Sequence, residues 1–333
     1  MSAIERETPV TMFVRTTENC NAGCFMCDYA NMKNQPFLNP DQLESIATEA
    51  KKSGIQLIRF TGGEPLLDRN ITSFVAYLHN QGLKTSIITN GYLLPRRAPG
   101  LVEAGLDQVI VSLDGSTPEV HDKLRRLPGL FANATRGIVD IKAADAGTIV
   151  RVNTVVSPYN IGDLEQILQL LTSLDIDQWS LIPLKGSENL WKGQDRNGLL
   201  EKYNGFQGMV RDVAKPRLLG YSKEWAGRTD DETVRYFTTG IPFTPRPVCN
   251  LVHRVRFYIP QTDRLAACNC VPWRLRDVNF QTDIGLSGLN DGSLVPLIGY
   301  LHQNGPDVCT GCEPINANLG ENPNILDDDI FLF

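Results

Sequence analysis

The chain has 333 residues, of which 42% are hydrophobic and 21% charged, a composition typical of a globular protein with a sizeable core. Its net charge of −6 argues against general nucleic-acid binding, which requires a basic surface. No apolar run approaches the roughly 20 residues that span a membrane, and the N-terminal MSAIERETPV lacks the apolar core of a secretory signal. We therefore predict a cytoplasmic protein with neither a nucleic-acid nor a membrane partner. In a reducing compartment, its eight cysteines favour metal ligation over disulfides.

Apolar runs alternate with helical patterns along the first half of the chain. The runs predict strands at 10–17, 56–62, 83–91, 107–115, 148–156 and 178–186. Apolar residues at helical spacing predict helices at 41–54, at 71–82, in the 130s and at 163–174. Alternating strands and helices build parallel βα units, which bind ligands at the carboxyl ends of their strands. Six such units predict an α/β fold with a partial (βα)6 barrel.

The sequence pattern changes after about residue 187. A polar, Gly-rich segment, GSENLWKGQDRNG, precedes a predicted helix at 198–213, and Pro, Cys and Trp cluster from Pro242 onward. The C-terminal stretch ENPNILDDDIFLF is acidic and ends in apolar residues. We predict a barrel core at 1–190, a connecting segment at 191–241, a small metal-binding domain at 242–315 and an acidic tail at 316–333.

Three cysteines lie in the loop that follows the first predicted strand. They are Cys20, Cys24 and Cys27, in the spacing C-x3-C-x2-C. A structural zinc site closes with four ligands, but no fourth Cys or His is near, since the next histidine is His79. Three thiolates on a four-iron cluster leave one iron open to a substrate or cofactor, which accounts for both the spacing and the missing ligand. A zinc site completed from a distance is the alternative.

The stretch FTGGEPLL at 60–67 follows the second predicted strand. Together with the cysteine loop it closely resembles the radical S-adenosylmethionine (SAM) superfamily, over about residues 10–186. The resemblance implies a SAM-binding [4Fe-4S] cluster on the three cysteines and an external electron donor such as flavodoxin or ferredoxin. In that family, reductive cleavage of SAM yields a 5′-deoxyadenosyl radical that abstracts a substrate hydrogen. Met26 stands where family members often carry an aromatic residue.

The same resemblance makes residues at the strand ends candidates for SAM binding. Gly62 and Gly63 let the backbone approach the ligand closely, and Glu64 can accept a hydrogen bond from an ammonium group. In TNG, at the end of the third strand, Asn90 is a further candidate. The glycine-rich turn therefore predicts the site of the SAM amino group.

The fourth and fifth predicted strands add polar candidates for the ribose and carboxylate of SAM. VSLDG ends the fourth strand and offers Ser112 and Asp114. RVNTVV places Arg151 and Asn153 on one face of the fifth strand, because side chains alternate along a strand.

Five cysteines remain in the C-terminal third: Cys249, Cys268, Cys270, Cys309 and Cys312. Their order resembles a twitch domain, the half-size relative of the SPASM domain that binds one auxiliary [4Fe-4S] cluster. On that resemblance Cys249, Cys268, Cys309 and Cys312 are the ligands, and Cys270 is a spare thiol able to donate a hydrogen atom to a substrate radical. The alternatives are a ligand set with Cys270 in place of Cys249 and a zinc ribbon, because spacing alone cannot distinguish zinc from iron.

The loop after the sixth strand, LKGSENLWKGQDR, offers candidate substrate contacts. Lys185, Lys192 and Arg196 suit an anionic substrate, and Trp191 can stack on a base or a sugar face. Glu188 is the acidic candidate there, and it would meet a cationic aminoglycoside together with Asp195. An ordinary solvated loop is the alternative interpretation.

Twitch-bearing members of the family suggest the reaction. We predict hydrogen abstraction from a sugar or nucleoside carbon in antibiotic biosynthesis, with decarboxylation of a nucleoside uronic acid as the first candidate. The alternatives are dehydrogenation or epimerisation of an aminoglycoside or aminocyclitol, and maturation of a ribosomal peptide.

Overall fold

The computed structural model describes residues 10–27, 29, 32–144, 147–184, 195–203, 215–219, 255–266 and 284–300. Several residues singled out from the sequence lie outside these ranges: Lys185, Glu188, Trp191, Lys192, Cys249, Cys268, Cys270, Cys309 and Cys312. None of the helices within them is long and apolar enough to cross a membrane.

A nine-stranded sheet forms the centre of the described structure, in the order β7-β6-β5-β4-β3-β2-β1-β8-β9. Its strands are β1 (Thr11–Thr17), β2 (Leu57–Gly62), β3 (Lys84–Thr89), β4 (Gln108–Ser112), β5 (Ile149–Val156), β6 (Gln178–Pro183), β7 (Arg217–Leu218), β8 (Val255–Ile259) and β9 (Arg264–Ala266). Neighbouring strands pair in parallel except β8 and β9, which are antiparallel.

Helices connect most of the parallel strands. They are α1 (Pro40–Lys52), α2 (Ile71–Asn80), α3 (Leu94–Glu103), α4 (Pro118–Arg125), α5 (Leu130–Ala143), α6 (Leu164–Ser173) and α7 (Arg196–Tyr203). Helix α1 begins with a capping box, in which Asn39 and Gln42 bond each other's backbone N–H. The six predicted strands and the α/β barrel-like fold are confirmed.

The sequence pattern does not predict helices α3 and α4. The α3 sequence LPRRAPGLVE contains two prolines, which normally disfavour a helix. Pro95 lies in the first turn, where an N–H has no acceptor within the helix, so it costs little. Pro99 lies inside the helix, where proline costs about 3 kcal/mol. Burial of Leu94, Ala98 and Leu101 against the core offsets that cost.

Both edges of the six-strand sheet are extended. Strand β8 pairs in parallel with β1, with Thr11 opposite Val255, and a turn at Asp263 leads into β9. Strands β8 and β9 come from the segment 242–315, for which a separate metal-binding domain is predicted. They continue the barrel sheet, whereas the domain boundaries themselves stay predictions.

A buried polar ladder crosses one face of the sheet. Arg59 donates to Ser86 Oγ at 3.2 Å and to Gln108 Oε1 at 3.0 Å, and Gln108 donates to Gln178 Oε1 at 2.9 Å. Arg59 pairs with Ser86 in register and Ser86 with Gln108, so their side chains share a face. The neighbouring positions, such as Ile58, belong to the apolar core. Since buried polar groups require partners, this ladder specifies the strand register.

Candidate functional site

The predicted cluster and SAM-binding residues in the described part of the chain lie at one edge of the sheet. The cysteine loop follows β1, Gly62 ends β2, and Asn90 follows β3. Ser112 ends β4 and lies opposite Asn153 of β5 in register. Because these strands are parallel, their carboxyl ends share this edge, which is where α/β sheets bind ligands.

The cysteine loop is held by helix α4. The backbone N–H of Gly23 donates to the Arg125 carbonyl at 3.2 Å, and that of Phe25 to the Leu124 carbonyl at 3.3 Å. Both acceptors lie in the last turn of α4, where carbonyls lack partners within the helix. The end of α4 therefore fixes the loop between Cys20 and Cys27.

The three thiols differ in exposure but act on one another. Cys24 is buried, Cys20 partly buried and Cys27 exposed. Burial raises the pKa of Cys20 to about 12, with smaller contributions from Glu64, Cys24 and Cys27. A bare thiolate is therefore disfavoured at this position, and a positive charge beside it would favour it.

The donor set fits an iron–sulfur cluster. Thiolates are the ligands that iron–sulfur clusters use, and the iron charge offsets the burial that opposes thiolate formation at Cys20. Within the described ranges, no three His, Cys, Asp or Glu side chains are grouped so as to hold a single metal ion.

The GGEP turn packs against the backbone of the cysteine loop. Gly63 N–H donates to the Thr17 carbonyl and Glu64 N–H to the Asn19 carbonyl, both at 2.8 Å. A Cβ atom on Gly63 would lie 2.1 Å from the Asn19 carbonyl oxygen. Gly62 has φ of 136°, and its Cβ would lie 2.1 Å from the Thr17 oxygen. Glycine is thus required for contact between the two loops, and its approach to SAM stays a prediction.

Glu64 ties the ends of β2 and β3 together. Its fully buried carboxylate accepts from Leu66 N at 2.9 Å, Thr89 Oγ1 at 2.6 Å and Asn90 N at 2.7 Å. Burial raises its pKa, and these three hydrogen bonds act in the opposite direction. Glu64 therefore organises the strand ends, while its bond to the SAM ammonium group stays a prediction.

Asn90 reaches from β3 to the cysteine loop. Its side-chain amide donates to Asn21 Oδ1 at 2.8 Å and lies 4.0 Å from Cys20 Sγ. Its Oδ1 accepts from the Tyr92 N–H at 2.9 Å, which holds the amide in this orientation. The sequence placed Asn90 near SAM, and the structure places it beside a candidate cluster ligand.

Asp114 joins helix α4 to strand β5. This carboxylate is fully buried, and its two oxygens accept from Val155 N at 2.8 Å and from Arg125 Nε at 2.6 Å. Ser112, two residues earlier, is partly buried at the strand edge. Both oxygens of Asp114 are therefore engaged by the protein, and its predicted contact with SAM stays a prediction.

Arg151 and Asn153 hydrogen-bond each other on the polar face of β5. Arg151 donates from Nε to Asn153 Oδ1 at 2.9 Å and from Nη2 to Ser180 Oγ at 2.7 Å. Arg151 is fully buried, whereas Asn153 is 8% exposed. Asn153 is therefore the member of the pair nearer the carboxyl ends of the strands, and Arg151 holds its side-chain oxygen through the hydrogen bond from Nε.

Asp195 lies at the start of α7. It accepts hydrogen bonds from the N–H groups of Asn197 and Gly198 at 3.2 and 3.0 Å and so caps the helix.

Sequence reasoning missed two residues of helix α4, His121 and Arg125. They are four residues apart, so they lie on one face of the helix. Both contact Asp114: His121 Nδ1 accepts from its backbone N–H at 3.0 Å, and Arg125 binds its carboxylate. The stretch HDKLR after VSLDG carried this signal, because ionisable residues at i and i+4 following a buried Asp suggest a shared contact.

His121 makes the stability of the protein dependent on pH. Burial, reinforced by the Arg125 charge, lowers its pKa to about 4 from 6.5. The native state therefore keeps His121 neutral while the unfolded chain binds a proton below pH 6.5, so stability falls as the pH drops from 6.5 towards 4. From pH 7 to pH 5 we expect a loss of about 2 kcal/mol from this group.

The variant His121→Asn provides the matched comparison, because Asn can still accept from the Asp114 N–H but does not titrate. Chemical unfolding of the two proteins at pH 7 and pH 5 measures the difference. An equal loss of stability in both proteins would contradict the assignment to His121.

The part of the chain that forms this edge is similar to known proteins. Residues 14–171 match the sequence model of the radical SAM superfamily. A probable GTP 3′,8-cyclase of Methanocaldococcus jannaschii is 32% identical over 179 residues, covering 52% of this chain and 59% of that protein. An AdoMet-dependent heme synthase of Oleidesulfovibrio alaskensis is 29% identical over 172 residues, covering 50% and 44%. The chain thus spans about half the length of the curated relatives it matches.

A solved structure shares the fold over most of the chain. SuiB of Streptococcus suis bound to its precursor peptide SuiA superposes with a TM-score of 0.62 at 16% identity, covering 88% of this chain and 66% of that one. SuiB bound to S-adenosylmethionine gives a TM-score of 0.59 at 15% identity, covering 97% and 71%. At this identity the likeness concerns the fold alone.

Proposed function

Because residues 14–171 match the sequence model of the radical SAM superfamily, we propose that the protein cleaves SAM at a [4Fe-4S] cluster on Cys20, Cys24 and Cys27. When bound, the cluster and SAM supply the 5′-deoxyadenosyl radical that abstracts a substrate hydrogen. The observation that carries the proposal is the contact of the GGEP turn with the cysteine loop, through two backbone hydrogen bonds of 2.8 Å. This contact brings the thiols and the polar strand ends to one edge.

The residues at that edge have distinct parts in the proposal. Ser112 and Asn153, in register on adjacent strands, bind the polar groups of SAM. Glu64 and Asn90 hold the strand ends against the loop, and Arg151 fixes the amide of Asn153. Fixed orientation matters because the radical must meet one C–H bond and not its neighbours.

For the substrate, we propose a sugar or nucleoside. The preferred reaction is decarboxylation of a nucleoside uronic acid. One relative carries the name of a GTP cyclase, which supports a nucleotide-like substrate. The cations Lys185 and Lys192 follow β6, whose carboxyl end lies at the same edge as the thiols. A charge-assisted bond to a substrate carboxylate would contribute about 1.5–3 kcal/mol.

A peptide substrate is the second candidate. SuiB, which shares the fold, was solved bound to a precursor peptide. Oxidation or epimerisation of an aminoglycoside is the third, and there Glu188 and Asp195 replace the lysines as contacts. For the C-terminal third we propose an auxiliary [4Fe-4S] cluster on Cys249, Cys268, Cys309 and Cys312, with Cys270 as a spare thiol.

Charge reversal separates these substrates. The double change Lys185→Glu and Lys192→Glu is expected to lower turnover of an anionic nucleoside about 10- to 100-fold, because a charge-assisted bond is replaced by repulsion. Conversion of an aminoglycoside would hold or improve. Anaerobic incubation with SAM, a reductant and each candidate, followed by mass spectrometry, measures both.

The matched control is Lys51→Glu with Lys52→Glu, which makes the same charge change on exposed residues. These lysines end α1 just before β2, at the opposite edge of the sheet from the thiols. Full activity of the Lys185 and Lys192 variant on the anionic substrate would refute the uronic-acid proposal. Conversion of an added precursor peptide alone would favour the second candidate.

A further inference from the structure

Arg125 contacts a candidate cluster thiol directly. Its Nη1 lies 4.0 Å from Cys24 Sγ, within the range of a hydrogen bond to sulfur. Its side chain is only 11% exposed, and Cys24 is buried. A fixed positive charge thus stands beside one of the three thiols in a place that water scarcely reaches.

The position of this guanidinium is built by the surrounding fold. Arg125 Nε donates to Asp114 Oδ2 at 2.6 Å, and Asp114 Oδ1 accepts from the Val155 backbone N–H at 2.8 Å. His121, one turn earlier on α4, accepts the Asp114 backbone N–H. Helix α4, the β4 end and strand β5 therefore all fix the pair, and the Arg125 side chain has little freedom to move away from Cys24.

Support of the cysteine loop does not by itself require an arginine. The hydrogen bonds from α4 to the loop are accepted by the backbone carbonyls of Leu124 and Arg125. Any side chain at position 125 would keep those carbonyls. The guanidinium adds a positive charge beside Cys24 Sγ, which the backbone cannot supply.

We infer that Arg125, held by Asp114, is a positioning residue that raises the reduction potential of the SAM-cleaving cluster through Cys24. Reduction adds negative charge to a cluster, and hydrogen bonds and cations near its sulfur ligands stabilise the reduced form. The low exposure of Arg125 and Asp114 limits screening by water and salt. The negative charges of Glu64 and Asp114 act in the opposite direction and lower the reduction potential. Of these three charged groups, only the Arg125 guanidinium contacts Cys24.

This inference rests on the proposed function, because it concerns the cluster on the three cysteines. Its test is the reduction potential of that cluster, measured without turnover of SAM or substrate. The full-length chain is reconstituted anaerobically, and the cluster is titrated in the absence of SAM while its EPR signal is followed. The signal that changes on adding SAM identifies the cluster at the cysteine loop. Arg125→Gln is expected to lower its midpoint by about 59 mV or more, which is a tenfold change in the oxidised-to-reduced ratio.

Asp114→Asn is the second variant, because it removes the charge that opposes Arg125 while keeping a side chain of the same shape. It is expected to shift the midpoint in the opposite direction, whereas a general loosening of the loop would shift both variants alike. Arg136→Gln is the control, since Arg136 is 71% exposed and pairs with Asp140 on α5, and its potential is expected to match that of the unaltered protein.

The outcomes separate the inference from the function beneath it. An unchanged midpoint in Arg125→Gln with its iron intact, or the same direction of shift in both variants, overturns the role of Arg125. If Arg125→Gln fails to hold iron, the direction of the Asp114→Asn shift decides: an upward shift supports the inference, and any other result overturns it. Absence of a SAM-sensitive cluster in the unaltered protein refutes the proposed function itself.

Discussion

Replacing Cys20, Cys24 and Cys27 together with alanine is expected to reduce 5′-deoxyadenosine formation from SAM to the level without enzyme. The loop would then offer no thiolate to hold iron at the edge where the GGEP turn and the strand ends meet. The iron content should fall as well. The reconstituted protein is expected to hold about eight irons, as two four-iron clusters, and the triple variant about four.

The remaining iron is the internal control for this variant, because it shows that the C-terminal third still folds and binds metal. Cleavage of SAM by the triple variant under reducing conditions would show that the cluster assignment is wrong. About four irons together with stoichiometric zinc in the unaltered protein would instead favour a zinc ribbon in the C-terminal third.

Gly63→Ala is expected to reduce SAM cleavage about 100-fold or more without removing any functional group. The new methyl group would lie 2.1 Å from the Asn19 carbonyl oxygen and 2.7 Å from that of Glu18. Both are backbone atoms, so the cysteine loop as a whole must move away from the GGEP turn. A misplacement of about 1 Å in a catalytic geometry costs about that factor. The rate of 5′-deoxyadenosine formation measures it.

Gly299→Ala is the matched control for this change. Gly299 also lies outside the left-handed region, and a Cβ atom built on it has no heavy atom of the described residues within 4 Å. This variant should keep its rate and its melting temperature. Equal activity of Gly63→Ala and Gly299→Ala would contradict the claim that the turn and the cysteine loop must touch.

The local pattern of the sequence was enough for much of the fold. Apolar runs predicted β1 to β6, since the strands of a parallel sheet are buried on both faces and their sequences report that burial. Helix α3 was missed because Pro99 opposes helix formation locally, and helix α4, whose proline lies in the first turn, because its eight residues give a weak apolar pattern. Strand β9 pairs with β8 and was missed together with it, and strand β8 was missed because its pairing with β1 joins residues more than 240 positions apart. No local window contains that information.

For the candidate site, the sequence alone determined the chemical types and their shared edge. The spacing of the three cysteines, the GGEP turn and the polar strand ends required only a parallel sheet to bring them together. What the sequence could not determine was what each buried polar group is bonded to. Asp114 and Glu64 were predicted as SAM contacts, yet both carboxylates accept hydrogen bonds from the protein itself.

Arg125 is the clearest case of a residue that only the tertiary structure reveals. In sequence it is one of two adjacent arginines at the end of a helix that the pattern did not predict. In the fold, Asp114 holds it beside Cys24, while Arg126 next to it is exposed. The physical reason is that a charge acts over a few ångströms of low-dielectric space. The chain separates Arg125 from Cys24 by 101 residues, and packing alone brings them together.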